Sequence, residues 1–138
     1  MRFTSILTAA VVSLGVSCAA PERGADTPAW EHARLDSAMR RDLSAYFAKR
    51  DNSPVQLSFA YLRQGPTITG VAYPRYYLWV TARDSDGRLL SDGAARVAEI
   101  DSIVEVTHFL PRAYIVQQPG SLDSVFPAPV VAEIRKRM

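Results

Sequence analysis

Residues 43–61 read Leu43-Ser44-Ala45-Tyr46-Phe47-Ala48-Lys49-Arg50-Asp51-Asn52-Ser53-Pro54-Val55-Gln56-Leu57-Ser58-Phe59-Ala60-Tyr61. The apolar spacing changes inside this stretch. Before Asn52 it is four: Leu43 and Phe47 continue a stripe begun by Leu35 and Met39, the pattern of one helix face packed on a core. After Pro54 it is two, with Val55, Leu57, Phe59 and Tyr61 on one face of a strand and Gln56, Ser58 and Ala60 on the other. Asn52-Ser53-Pro54 separates the two regimes, so a helix ends near Arg50 and a half-buried strand follows it.

Working outward, Thr27-Pro28 supplies an N-cap and a proline at the first helical position, which starts the helix there with Trp30 in its first turn. Arg34, Arg40, Arg41 and Lys49 fall largely on other faces of that helix. Downstream, Gln64-Gly65-Pro66 breaks the first strand, and Thr67 to Val71 begins an extended segment expected to continue past a bend or bulge at Pro74. It then carries Tyr76, Leu78, Val80 and Ala82 on one face and Tyr77, Trp79, Thr81 and Arg83 on the other. Asp84-Ser85-Asp86-Gly87 is a hairpin turn, Arg88 to Ile100 a third strand with an irregularity expected at Asp92-Gly93, and Ile103 to Phe109 a fourth. Beyond Pro111, Ala113 to Val116 reads as a short strand or turn and Ser121 or Asp123 as the cap of a brief helical turn. Pro129 opens a final helix toward Arg135-Lys136-Arg137, whose cations suit its C-terminal dipole.

This order predicts an α+β domain: one long N-terminal helix packed on a curved antiparallel sheet of about four strands, with a short C-terminal helix. The arrangement resembles cystatin-like and NTF2-like folds. Cystatin-type inhibitors carry a Gln-Val-Val-Ala-Gly-like loop after the first strand. Arg63-Gln64-Gly65-Pro66-Thr67 stands in that place, so protease inhibition is not implied.

The 138 residues are 48% apolar and 22% charged, enough for one soluble domain with one sizeable core. Sixteen basic against fourteen acidic residues leave +2, which argues against a nucleic-acid binder held by a basic stripe. At the N-terminus, Met1-Arg2, an apolar run from Phe3 to Val16 and the small residues Ser17-Cys18-Ala19-Ala20 have the form of a secretory signal. The run is shorter than the ~20 apolar residues a membrane-spanning helix needs. Leu14-Gly15-Val16-Ser17-Cys18 resembles the lipobox of bacterial lipoproteins, with Gly15 where a large aliphatic residue is usual. That resemblance implies a lipidated Cys18 as the mature N-terminus, membrane association through an N-terminal lipid and a place in the cell envelope. The alternative is an ordinary secretory signal cut after Ala19, giving a secreted or periplasmic protein. The chain therefore divides into a signal peptide over 1–17, a lipidated cysteine and tether over 18–26, and a single domain over 27–138. Since Cys18 is the only cysteine, no disulfide supports that domain.

Candidate chemistry is sparse. His32 and Asp36 share a helix face, too few groups for a structural zinc, and Asp84, Asp86 and Asp92 lack the spacing of a calcium loop, so turn formation is the expected use of all three. No cofactor motif occurs. His108 alternates with Val104 and Val106, which points it toward the apolar face, where Asp101 or Tyr77 could complete a helix–sheet pocket of a small NTF2-like enzyme. The densest aromatic stretch, Tyr73, Tyr76, Tyr77 and Trp79, is apolar on both strand faces. Either the C-terminal segment covers one face, or Tyr76, Tyr77 and Trp79 form a surface for an envelope protein or glycan. The leading expectation is a non-catalytic binding or accessory module of the envelope, with the NTF2-like enzyme as alternative.

Overall fold

The computed structural model describes residues 29–70 and 73–138; the signal-like segment, Cys18, the tether, Thr27-Pro28 and Val71 lie outside them. The fold is α+β. Helix α1 spans Ala29–Asp51, and strands β1 (Gln56–Tyr61), β2 (Arg75–Arg83), β3 (Leu89–Ile100) and β4 (Ile103–Pro111) follow. They form one antiparallel meander in the order β1-β2-β3-β4. Three short helices close the chain: α2 (Arg112–Gln117), α3 (Ser121–Val125) and α4 (Ala128–Arg137). The helix ends where its sequence predicts. Asn52 takes a left-handed φ of 50°, a conformation asparagine tolerates better than most residues, and the Ser53 N–H caps the Ala48 carbonyl at 3.1 Å.

The sheet has a core on each face. Leu35, Met39, Leu43 and Phe47 of α1 pack on Leu78, Val80, Ala95 and Val97, with Phe59, Val106 and Phe109 closing the margins. Phe47 meets Phe109 edge to face, ring centroids 4.9 Å apart. Asp42 ties the helix to the fourth strand by accepting the Val104 N–H at 2.8 Å. On the opposite face, Leu62, Tyr77, Trp79 and Ala94 are covered by Ile115, Leu122, Val130, Val131 and Ile134 from α2, α3 and α4 and by Phe126, which follows α3. Tyr77 and Trp79 are only 5% and 6% exposed, so these two members of the expected aromatic surface belong to the second core. Both faces of β2 are apolar because both are covered.

The structure departs from the sequence reading at four places. Thr67 pairs antiparallel with Arg75 in an isolated bridge, so the chain folds back between them and does not run extended into β2. Register is regular through Asp92-Gly93; the irregularities lie at Ala82/Arg83 and at Arg96/Val97. At the latter, Arg96 pairs with His108 and Val97 with Val106, leaving Thr107 as the extra residue of a bulge. One added residue reverses which side chains face the core: Phe109 joins Val104 and Val106 on the α1 side, and His108 goes to the other face and is exposed. Lastly, Ala113 to Val116 is helical. The run is too short to carry a period, and α2 is set by Pro111 ahead of it, by Ile115 as its buried anchor and by the Gln118 N–H closing on the Tyr114 carbonyl at 2.8 Å.

Candidate functional site

A cleft of about 560 Å³ opens where the first turns of α1 meet the ends of β1 and β3 and the approach to β2. Its apolar floor comes from Leu35, Pro66 and Pro74, and its polar groups from Glu31, His32, Arg34, Tyr61, Tyr76 and Glu99. Each is placed by a local rule. Glu31, Arg34 and Leu35 share one side of the helix at three- and four-residue spacing. Tyr61 and Tyr76 sit on the α1-facing side of β1 and β2, in line with Phe59 and Leu78; Tyr76 is partly buried and Tyr61 more exposed. Glu99 follows Ala95 and Val97 on the same face of β3 and is the carboxylate at the end of an otherwise apolar row.

Four of them, Arg34, Tyr61, Tyr76 and Glu99, are held by hydrogen bonds to one another or to neighbouring residues. The Tyr61 hydroxyl donates to Asp36 Oδ1 at 2.7 Å, and the Tyr76 hydroxyl donates to Glu99 Oε2 at a longer 3.4 Å. The other Glu99 oxygen accepts from Arg34 Nη2 at 2.7 Å, while Arg34 Nη1 donates to Ser102 Oγ at 3.1 Å. Burial first, then Glu99, pushes the Tyr76 phenol up to about 12, and burial with the Asp36 hydrogen bond lifts Tyr61 further still. Both phenols are therefore fixed hydrogen-bond donors at neutral pH. Arg40 covers the Phe59 ring at 5.2 Å beside this wall. The chemistry on offer is recognition by oriented hydroxyl, guanidinium and carboxylate groups over an apolar floor.

The sequence-derived candidates are dispersed. Tyr76 alone of the aromatic trio lines the cleft; Tyr77 is in the second core, where its hydroxyl meets Thr67 Oγ1 at 2.6 Å, and Trp79 lies under Arg112 at 4.9 Å. His108 stands on the far face beside Arg96, whose Nη2 lies 2.7 Å from His108 Nδ1; since arginine can only donate, that ring nitrogen is the acceptor. Partial desolvation, then Arg96 and Arg75, lowers the His108 pKa, so the neutral ring is favoured. Arg96 also reaches Thr107 Oγ1 and the Val125 carbonyl, which makes the pair a strut between sheet and C-terminal helices. Asp101 sits at the β3–β4 turn with φ 49° and does not line the cleft. None of His108, Asp101 and Tyr77 lines the cleft between α1 and the sheet. Asp84 Oδ1 accepts the Asp86 and Arg88 N–H groups at 2.9 Å and Oδ2 accepts Arg88 Nε at 3.1 Å, which is turn formation, whereas Asp92 lies within β3 and accepts Arg112 Nε at 2.7 Å, so it serves the C-terminal layer and not the turn. Among the described residues no cluster of histidine, cysteine or carboxylate side chains could hold a metal, and no helix is long and apolar enough to cross a membrane.

Glu31, Arg34, Tyr61 and Glu99 escaped sequence reasoning. Tyr61 and Glu99 carried one signal, parity: they hold core-facing positions at strand ends where an aliphatic residue would otherwise continue the row, while Glu31 and Arg34 on α1 carried none. No protein-family model, curated protein or solved structure matches the chain.

Proposed function

We propose that this chain is a lipid-anchored module of the bacterial cell envelope that binds a protein partner, without catalysing a reaction, through the cleft at the start of α1. The anchor rests on the lipobox-like run ending at Cys18. The observation that supports recognition is the engagement of the cleft's groups with one another: Glu99 is shared by Arg34 and Tyr76, and Asp36 is held by Tyr61. Those bonds fix Arg34, Tyr61 and Tyr76 in one orientation each, which is the preorganisation a binding surface uses. Tyrosine and arginine, which line this hollow, are also among the side chains that carry most of the energy in protein recognition.

The test places a photo-cross-linking amino acid at Gln64, on the rim of the cleft, or at the exposed Ala132 on α4, in the intact protein in its own cells. A discrete adduct from position 64, absent from 132 and lost in a folded Tyr76→Ala variant, is the expected result. Equal adducts from both positions, or adducts indifferent to Tyr76, would exclude the cleft as the binding face.

A further inference from the structure

We infer that the end of the domain holding the start of α1 lies on the membrane, with Ile68, Tyr73 and Ile103 seated in the lipid–water interface; this rests on the lipid-anchor reading of Cys18. These are among the most exposed large apolar residues, at 64%, 54% and 59%. Strand register gathers them. Thr67 pairs with Arg75, Arg75 with Ala98, and Ala98 with Glu105, so this row crosses the sheet near its end. One step further out, the Pro74 carbonyl accepts the Glu99 N–H at 3.0 Å and Glu99 pairs with Val104. Ile68 follows Thr67 and stands on this second row, while Tyr73, which precedes Pro74, and Ile103, opposite Ile100, stand one row further out, so all three lie at this one end of the sheet.

The start of α1 is at the same end. Arg34, in its second turn, contacts both Glu99 and Ser102, and Glu31 lines the cleft with Pro66 and Pro74. Lipid on Cys18 leaves ten residues, 19–28, before the helix, a reach of at most about 33–36 Å. The opposite end, where Leu89 and Leu90 are also exposed, lies one helix length away, about 35 Å for the 23 residues of α1. The tether would have to double back along the whole helix, fully extended, to bring that end to the bilayer. The tether end arrives without constraint. A tyrosine and two isoleucines stand at this end, the residue types that seat in the interface, with Arg63 and Arg75 beside them, Arg34 paired to Glu99, and Glu31, Asp101 and Glu105 as further acidic residues.

The experiment uses the mature lipidated protein in phosphatidylethanolamine–phosphatidylglycerol vesicles. Acylation consumes the only native thiol, so Tyr73→Cys, Ile103→Cys and Leu89→Cys each carry a single site for a nitroxide label. Collision of the label with oxygen, which partitions into lipid, is compared with collision with a water-soluble nickel chelate. At positions 73 and 103 the ratio should shift toward oxygen, and at 89 it should match water. Labels at 73 and 103 as open to nickel as the one at 89, on protein that floats with the vesicles, would overturn the membrane orientation while leaving the anchor standing. Protein that carries no acyl group by mass and does not float would overturn both.

Discussion

Gly93 meets the backbone of the fourth strand, and this contact explains why the sequence has a glycine in the middle of a strand that runs without irregularity there. A Cβ at this position would fall against the Leu110 carbonyl oxygen and 2.8 Å from Pro111 Cα, atoms that cannot rotate away. Gly93→Ala should therefore cost about 2–4 kcal/mol in denaturant melts. Asp92-Gly93 was legible as a special place, but a glycine needed for close approach and one needed for a bulge look alike in sequence. His108 follows the same logic. Its side was assigned from alternation with Val106, and the extra Thr107 reversed it. The neutral ring accepting from Arg96 makes a pH prediction. The folded pKa is lowered, so below the ordinary histidine value of about 6.5 the unfolded chain binds the proton more readily and stability falls as pH falls. His108→Gln should flatten that part of the stability–pH curve measured between about pH 6.5 and 5. An unchanged slope would mean that the Arg96 pair does not control this titration.

At the scale of elements, the period carried most of the fold. Four-residue spacing over Leu35, Met39, Leu43 and Phe47 and two-residue spacing from Val55 onward each describe a long element whose buried face is fixed by its own repeat. Leu43 is fully buried in the first core, so Leu43→Ala should destabilise by about 2–5 kcal/mol, whereas Lys49→Ala on the exposed face of the same helix should stay within about 0.5 kcal/mol. Trp79→Ala probes the opposite core. With the indole under Arg112 and the C-terminal helices, its loss should cost about 3–5 kcal/mol; near-wild-type thermal stability would contradict a closed second layer. The C-terminal layer was only partly legible because its helices are too short to declare a period. Helix α3 has five residues and α2 six, and each depends on one buried anchor, Leu122 or Ile115, that becomes meaningful only against the sheet. The cleft was illegible for a related reason: it assembles Arg34, Tyr61 and Glu99 from three elements, and no local spacing links them.

The whole molecule is a sheet with one long helix on one face and three short helices on the other, built without a disulfide among its described residues. The cleft and the exposed Ile68, Tyr73 and Ile103 lie at the end of the sheet where α1 begins. A partner in the cleft would then be met close to the bilayer, within the span of the ten residues that separate Cys18 from α1. That arrangement depends on the lipid more than on any other feature. The deciding measurement is the intact mass of the protein extracted from membranes of the cells that make it. The account predicts a mature chain beginning at Cys18 and carrying a diacylglyceryl group and a further acyl chain, and Cys18→Ala should abolish that species. An unmodified chain beginning at Ala20 would contradict it.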